Sequence, residues 1–219
     1  PFLFKNKEQT FNILDGEIGK ELLDGGKKYW LKGLGYYDAG SRSFYTKEAP
    51  ILKPKNLEGL KIRVMESVTA MNMVRNLGGS PTPISAGELY TALQQGVVDG
   101  AENNPPTFYL SRHYEVCKFF SLDEHTTIPD VLIMSTHLWD KLSEKEQVWV
   151  QKAVDSSVKY QRKLWAKAET EAIEAVKKAG VTVVVPDKSE FQEKMVSLYD
   201  DYKSNKEIYE LITKIKAFQ

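Results

Sequence analysis

Cysteine is almost absent from this sequence, which contains only Cys117 among 219 residues. A disulfide bond within the chain is therefore excluded. His113 lies four residues earlier, and on a helix the two side chains would share a face, as a base and a thiol nucleophile must. The glycine and oxyanion context of a catalytic cysteine is missing, so we interpret Cys117 as a small buried hydrophobic residue.

An excess of either charge is also lacking, because 30 Lys and Arg residues balance 30 Asp and Glu residues. This balance argues against a nucleic-acid-binding protein and against an acidic metal buffer. No apolar run approaches the roughly 20 residues that span a bilayer. The opening Pro1-Phe2-Leu3-Phe4 lacks the basic start and cleavage site of a signal peptide, and no initiator Met precedes it. The sequence therefore predicts a processed or amino-terminally truncated chain.

The short motifs of catalysis and cofactor binding are missing as well. The three histidines, His113, His125 and His137, have neither HxxxH nor HExxH spacing, so a zinc site is not expected. There is no GxGxxG loop for a dinucleotide, no Walker loop and no GxSxG turn for a nucleophilic serine. We therefore predict no metal, no cofactor and no enzymatic activity.

What the sequence does contain is an alternation of short strands and amphipathic helices. Strands are predicted at 60–65 and 99–103, and helices follow them at 67–77 and 105–117. This alternation is typical of a parallel sheet with crossover helices. A further helix is predicted at 7–24, where apolar residues also recur at helical spacing.

Two long segments indicate that the chain forms two lobes. Residues 119–135 are extended well beyond an ordinary strand of about five or six residues, as expected where the chain leaves one lobe and enters the other. A capping-box sequence at Ser143-Glu144-Lys145-Glu146 opens a helix that is predicted to reach Ala179 and is too long for one small lobe. We predict an α/β fold of two lobes, with parallel-rich sheets and one bridging helix. A small ligand is expected in a cleft at the carboxyl ends of strands.

Arg63 is the most informative single residue. It lies in the predicted strand Leu60-Lys61-Ile62-Arg63-Val64-Met65, which is apolar on the same side. Because an unpaired buried charge is costly, Arg63 needs a partner. A guanidinium matches a carboxylate with two parallel hydrogen bonds. A structural arginine that reaches solvent or forms a salt bridge explains the same position, so spacing alone leaves both interpretations open.

Arg42 and Asn103 are the next candidates for anion binding. Arg42 follows Gly40-Ser41 at the start of a strand and would add positive potential, although an exposed loop arginine fits as well. Asn103 ends a short strand before a proline-initiated helix, where doubly wound sheets bind ligands. The adjacent Asn104 also fits a helix N-cap. Among the aromatic residues, Tyr45 is predicted to line an apolar pocket wall.

Two segments that contain these residues are similar to one known family. The first is Asn56-Leu57-Glu58-Gly59-Leu60-Lys61-Ile62-Arg63-Val64, and the second runs from Gly79-Ser80-Pro81-Thr82-Pro83 to Asn103. Together and in this order they resemble the extracytoplasmic solute receptors of TRAP (tripartite ATP-independent periplasmic) transporters, the DctP family. The similarity extends over nearly the whole chain.

The resemblance implies roles for three residues. Arg63 corresponds to the arginine that pairs with the ligand carboxylate, and Asn103 to an asparagine that contacts the same group. Arg42 corresponds to a second basic residue that many members use. The receptor is implied to act in the periplasm and to deliver its solute to the TRAP membrane permease, with no nucleic-acid partner.

The resemblance also implies how the lobes divide the chain. Lobe I would comprise 1–40 and 129–168 with the bridging helix, and it would be incomplete because complete members carry a further amino-terminal stretch. Lobe II would comprise 41–128 and 169–219 and would hold the main ligand contacts.

The ligand class follows from two shorter stretches. Residues 103–108 together with 121–125 resemble the branch that binds hexuronates, which implies a sugar acid such as glucuronate or galacturonate. Ala86 departs from several such receptors, which place an aromatic residue there. The carboxylate would bind Arg63, and the hydroxyls would lie near Asn103, Asn104, Tyr45 and His125.

Two alternatives remain open at this point. One is a receptor for a C4-dicarboxylate or another organic acid. The other is an enzyme that acts on an organic acid, with His125 or Glu124 as the base.

Overall fold

The computed structural model describes residues 1–218, and their contacts divide the chain into two compact units. The first comprises residues 1–2, 40–127 and 168–209 and is called here the large-sheet unit. The second comprises residues 3–39, 128–167 and 210–218 and is called the two-strand unit.

The described residues form eight strands and ten α-helices. The strands are β1 (Leu31–Tyr37), β2 (Ser41–Thr46), β3 (Lys61–Val64), β4 (Ser80–Pro83), β5 (Gly100–Asn103), β6 (Phe119–Thr127), β7 (Asp130–Ser135) and β8 (Thr182–Val184). The helices are α1 (Lys7–Asp15), α2 (Glu17–Gly25), α3 (Val68–Asn76), α4 (Leu89–Gln94), α5 (Pro105–Leu110), α6 (Thr136–Trp139), α7 (Glu144–Lys178), α8 (Ser189–Lys194), α9 (Val196–Asp200) and α10 (Lys206–Ala217).

The large-sheet unit contains a six-stranded mixed sheet in the order β4-β3-β5-β2-β6-β8. Strand β3 runs parallel to β4 and β5, and β6 runs parallel to β8, whereas β2 is antiparallel to β5 and β6. The α/β class and the parallel-rich sheet are thereby confirmed. Its core includes the closely packed rings of Tyr45, Phe108 and Phe120, all fully buried.

The antiparallel direction of β2 determines which residues meet at the edge of this sheet. The amino-terminal end of β2 lies beside the carboxyl end of β5, since Ser43 pairs with Asn103 and Thr46 pairs with Gly100. Strand β3 is parallel to β5, with Arg63 opposite Ala101. The first residues of β2 and the last residues of β3 and β5 therefore lie at one edge.

The two-strand unit contains an antiparallel pair, β1 and β7. The single helix predicted at 7–24 is wrong, because the chain forms two helices that are interrupted at Gly16. There the backbone is extended, and the Gly16 N–H donates to the Ile13 carbonyl. Gly19 then packs so closely on Leu14 that a Cβ at this position would lie 1.7 Å from the Leu14 carbonyl oxygen.

The two long segments of the sequence each contribute to both units, as predicted. Residues 119–135 form β6 and β7, which belong to different units. Helix α7 is 35 residues long, with residues 144–167 in the two-strand unit and 168–178 in the large-sheet unit. Its capping box is formed, since Glu146 Oε2 accepts from the Ser143 N–H at 2.7 Å.

The predicted division of the chain into lobes I and II stays a prediction, as does the assignment of the main ligand contacts to lobe II. Residues 210–218 belong to the two-strand unit, whereas lobe II was predicted to contain them. The contacts that hold them there include Lys214 with Glu21 at 3.2 Å and a hydrogen bond from Gln9 to the Phe218 carbonyl at 2.7 Å.

Candidate functional site

Arg63 is a buried arginine whose hydrogen-bonding capacity is mostly unused. Its residue surface is 4% exposed, and its Nε donates to the Ile84 carbonyl at 2.7 Å. Within residues 1–218, no other hydrogen-bond acceptor and no carboxylate partner contacts its guanidinium. Both terminal nitrogens nevertheless retain contact with solvent. Burial lowers the pKa of Arg63, and the neighbouring charge of Arg42 acts in the same direction.

Arg42, by contrast, is held by Glu102. Its Nε and one Nη donate to the two Glu102 carboxylate oxygens at 2.5 and 2.8 Å, and the same Nη donates to the Glu102 carbonyl at 2.9 Å. This is the two-pronged geometry that makes arginine–carboxylate pairs strong. The Glu102 side chain is 2% exposed, so the charge of Arg42 is already balanced inside the protein.

The orientation of the Asn103 amide follows from its donors. Asn103 Oδ1 accepts from Arg42 Nη1 at 3.1 Å and from the Asn104 backbone N–H at 2.9 Å. An atom that accepts two hydrogen bonds must be the amide oxygen. No described residue accepts from Asn103 Nδ2, so the amide presents a free N–H donor group.

A buried carboxylate–imidazole chain lies behind Arg42. His125 Nδ1 is 2.8 Å from Asp123 Oδ2, and His125 Nε2 is 3.3 Å from Glu102 Oε2. The side chains of Asp123 and His125 are fully buried. Burial acts to lower the pKa of His125, but the two carboxylates outweigh it and raise that pKa.

A local irregularity of β6 makes this chain possible. Arg42 pairs with Thr126, whereas Phe44 pairs with Ser121, so β6 carries extra residues between two positions of β2. Glu124 within this bulge has a positive φ of 50°. The bulge lets Asp123 Oδ1 accept from the Phe44 N–H at 3.0 Å while its other oxygen contacts His125.

Tyr45 and His113 form a second buried pair in the core of the large-sheet unit. Tyr45 has no exposed surface, and its hydroxyl lies 2.9 Å from His113 Nδ1. Burial raises the pKa of Tyr45 well above 10.0 and, together with Arg63, lowers the pKa of His113 from 6.5 to about 4. The structure therefore places Tyr45 in a packed core with its hydroxyl engaged.

Asn104 occupies the N-cap of α5, where its side chain accepts from the Thr107 N–H at 2.8 Å. Helix α5 ends earlier than predicted, because Arg112 adopts a left-handed conformation and a short 3₁₀ turn follows at His113–Glu115. His113 and Cys117 consequently do not share a helix. Cys117 is buried, and burial raises the pKa of its thiol to about 12, which confirms its interpretation as a core residue.

The structure thus brings Arg42 and Asn103 into contact. Arg63 lies on β3, the strand next to β5, and pairs there with Ala101, two positions before Asn103. The sequence did not predict that Glu102 pairs with Arg42 or that Asp123 contacts His125. The available signals were the position of Glu102 beside Asn103 and the Asp-x-His spacing of 123–125, which places two side chains on one face of a strand.

Two further features were sought in the described part of the chain. None of the helices within residues 1–218 combines the length and the apolar composition of a membrane span. Within the same residues, no group of three or more His, Cys, Asp and Glu side chains has the arrangement of a metal site.

Comparison with known proteins gives a consistent result. A family model described as bacterial extracellular solute-binding protein, family 7 (DctP) matches residues 1–205. A solute-binding protein from Chromohalobacter salexigens is 38% identical over 221 residues, which cover all of this chain and 66% of the relative. The chain therefore spans about two thirds of the length of that protein.

Solved structures are similar over the whole chain. A TRAP periplasmic solute binding protein from Xanthobacter autotrophicus Py2 with bound beta-D-galacturonate is 44% identical with a TM-score of 0.92, and this chain covers 73% of it. Another from Chromohalobacter salexigens with bound D-glucuronate is 38% identical with a TM-score of 0.96, again with 73% of its length covered.

Proposed function

This chain belongs to the family of bacterial extracellular solute-binding proteins, family 7 (DctP), and from this membership we propose that it is a receptor for a hexuronate such as glucuronate or galacturonate. It would bind the sugar acid unchanged in the periplasm and deliver it to the permease of a TRAP transport system.

The observation that carries this proposal is the unused guanidinium of Arg63. Arg63 has no carboxylate partner, and its terminal nitrogens contact solvent, so most of its five N–H donors are available to a ligand. A ligand carboxylate satisfies two of them in parallel. The free Nδ2 of Asn103 at the same sheet edge adds a further donor for the same anion.

The charge distribution favours a ligand with one carboxylate. Arg42 already shares its charge with Glu102, and His125 shares its charge with Asp123 and Glu102. Arg63 is the guanidinium of this cluster that lacks an internal counter-ion. One unbalanced positive charge matches a hexuronate better than a C4-dicarboxylate, whose second carboxylate needs a second cation. The two similar structures with bound galacturonate and glucuronate support the same choice.

The enzyme alternative is less favoured by the surroundings of its candidate bases. Both ring nitrogens of His125 contact carboxylates, and its side chain has no exposed surface. Glu124 is paired with Lys188. A general base needs reach to a substrate proton, which His125 lacks in this arrangement.

The first test is calorimetric titration of the intact protein with D-glucuronate, D-galacturonate and succinate. We expect tight binding of a uronate and a loss of about 3–5 kcal/mol of binding free energy in Arg63→Ala, because a buried charge pair is broken. The matched control is Arg75→Ala, since Arg75 is an exposed arginine of α3 whose bond is to Asn72.

The outcomes separate the parts of the proposal. Uronate binding that persists in Arg63→Ala contradicts the assignment of Arg63. Tight succinate binding without uronate binding retains the receptor and rejects the hexuronate. Conversion of the titrated acid into a product, detected by NMR, favours the enzyme instead.

A further inference from the structure

A group of exposed apolar side chains lies between α2 and β1 of the two-strand unit. Trp30 is 75% exposed and Tyr29 is 64% exposed, and Leu31 follows them on the surface. The Trp30 carbonyl accepts a hydrogen bond at 3.0 Å from the first residue of α6, and Leu138 on that helix is exposed as well. Residues 28–32 together with Leu138 are called here the Trp30 patch.

Trp30 is unusual in its backbone as well as in its exposure. Its φ of 60° and ψ of 26° are left-handed, a conformation that bulky residues rarely adopt and that glycine adopts freely. Main-chain bonds hold the turn, since the Trp30 N–H donates to the Gly26 and Lys27 carbonyls. Glycine at position 30 would make the same bonds without strain, so the turn does not require the indole. A strained residue with an exposed ring is better explained by a contact outside the chain.

Lysines accompany these rings. Residues 24–32 contain Lys27, Lys28 and Lys32, with Asp24 as the one acidic residue, so positive charge is in excess there. Asp24 lies 2.8 Å from Lys27 Nζ and 3.7 Å from Lys32 Nζ. Among the residues that the structure describes, no carboxylate pairs with Lys28.

Two of these ammonium groups lie over aromatic rings. Lys28 Nζ is 5.2 Å from the centroid of the Tyr29 ring, and Lys32 Nζ is 5.6 Å from the centroid of the Trp139 ring on α6. The patch therefore presents cations and aromatic rings side by side. On the adjoining segment, Asp140 is offset by Lys141, so α6 adds apolar surface without reversing the charge.

Exposed indole and phenol rings beside lysines have the chemistry of a membrane-interface contact. Tryptophan and tyrosine favour the level of the lipid headgroups, because each ring is apolar with one polar end. Lysine attracts anionic headgroups while its methylene stem covers apolar surface. A stable protein–protein interface takes about 20–30 residues from each side, which is far more than this patch offers. A bilayer surface is therefore the better-matched partner.

We propose that the Trp30 patch is a contact surface for the headgroup region of an anionic phospholipid bilayer. Trp30 and Tyr29 enter among the headgroups, and Lys28 and Lys32 pair with lipid phosphates. The inference goes beyond the proposed function and does not depend on hexuronate binding. For a receptor that delivers its solute to a permease, such a contact would concentrate the receptor at the membrane that holds the permease.

The closing experiment measures binding of the 219-residue chain to vesicles by co-sedimentation, without any organic acid. One set of vesicles contains phosphatidylglycerol and phosphatidylethanolamine, and the other contains only phosphatidylcholine. We expect binding to the anionic vesicles alone, and we expect it to weaken as salt rises from about 50 to about 500 mM. Equal binding to both sets, or no binding to the anionic set, overturns the proposal.

Trp30→Gly tests the role of the indole without a risk to folding. Its melting temperature is expected to match or exceed that of wild type, because left-handed strain is removed. Its affinity for anionic vesicles should fall about tenfold, as expected when one large apolar ring no longer leaves water. The blue shift of tryptophan emission on vesicle addition should shrink in parallel. Tyr160→Ala is the matched control, since Tyr160 on α7 is 65% exposed and lies outside the patch.

Lys28→Glu tests the role of the charge. It changes the local charge by two, so affinity for anionic vesicles should fall about thirtyfold. Lys55→Glu is the matched control, because Lys55 is an exposed lysine of the large-sheet unit and the net charge changes equally. Vesicle affinity that falls equally in a patch variant and in its control assigns the effect to another surface and overturns the proposal.

Two further readouts separate this inference from its alternatives. Sedimentation without lipid reports on a second copy of the chain, and self-association that is lost in Trp30→Gly while vesicle binding persists would assign the patch to that contact and overturn the proposal. Titration with D-glucuronate reports on the proposed function. Vesicle binding by a chain that binds no hexuronate would leave this inference standing while the proposed function fails.

Discussion

Among individual residues, His113 couples the stability of the large-sheet unit to pH. Burial and then the charge of Arg63 lower its pKa from 6.5 to about 4. Between these values the unfolded chain binds a proton that the folded chain excludes, so the free energy of unfolding decreases as pH falls, by up to about 1.4 kcal/mol per pH unit. We expect His113→Gln to lose this contribution. Urea unfolding at pH 5 and pH 7 measures it, and an unchanged difference between the two pH values contradicts the prediction.

For His125 the free energy of unfolding changes with pH in the opposite direction, and it does so at higher pH. Its pKa is raised in the folded protein, so its stabilising contribution is present below the unfolded value of about 6.5 and is lost as pH rises through the higher folded value. We expect the difference in unfolding free energy between wild type and His125→Gln to shrink as pH increases from 6 to 9. A difference that stays constant across this range would show that His125 is not charged in the folded state.

The sequence indicated the strand positions of Arg63 and Asn103 but not the groups that contact Arg42 and His125, and the binding roles of these residues stay predictions. The end of a short strand before Pro105 indicated where Asn103 lies, and the polar position within β3 drew attention to Arg63. The ion pair of Arg42 with Glu102 was not predicted, because it joins residues of β2 and β5 that are 60 positions apart. The bulge that turns Asp123 toward His125 has no signature in the spacing of apolar residues.

At the scale of elements, the break between α1 and α2 depends on glycine. A Cβ on Gly19 would lie 1.7 and 2.3 Å from the backbone oxygen and carbon of Leu14. Since backbone atoms cannot move aside as a flexible side chain can, we expect Gly19→Ala to destabilise the protein by about 1–3 kcal/mol despite its better helix propensity. Urea unfolding is the measurement.

The control for this prediction lies in the same helix. Gly25 has no atom within 4 Å of an added Cβ, and its φ of −58° is helical. Gly25→Ala should therefore be neutral or stabilising. Equal effects of the two substitutions would mean that α1 and α2 separate at little cost.

Elements were predictable where their ends carry local signals. The capping box at Ser143 gave the start of α7, and the glycine after Ala179 gave its end. The shared flaw of the predictions at 7–24 and 105–117 was to extend apolar periodicity across a break. Gly16 and Arg112 stop these helices through backbone conformations that periodicity does not report.

At the scale of the whole molecule, the length of the extended segment 119–135 predicted that the chain passes from one lobe to the other. Strands β6 and β7 of this segment do belong to different units. No comparable feature of the sequence predicted the unit to which the last helix, α10, belongs. Most of α10 belongs to the two-strand unit through contacts such as that of Lys214 with Glu21, which are distant in sequence and on exposed side chains.

The two-strand unit also determines how this chain should behave in solution. Strand β7 pairs with β1 along one edge, and within residues 1–218 no strand pairs with its other edge. Val131 and Ile133 on β7 are 45% and 52% exposed. An unpaired, apolar edge strand is a surface for intermolecular pairing, so we expect this 219-residue chain to self-associate as its concentration rises.

Substitution of Ile133 by Lys tests the cause, because a charge on an edge strand opposes pairing with a second strand. Ile133→Lys should shift the sedimentation profile toward the monomer at every concentration. Val68→Lys is the matched control, since Val68 is 69% exposed on α3 of the large-sheet unit and lies on no strand. Association that survives Ile133→Lys and disappears in Val68→Lys would assign the contact to the other unit, and the β7 edge would then be excluded as its origin.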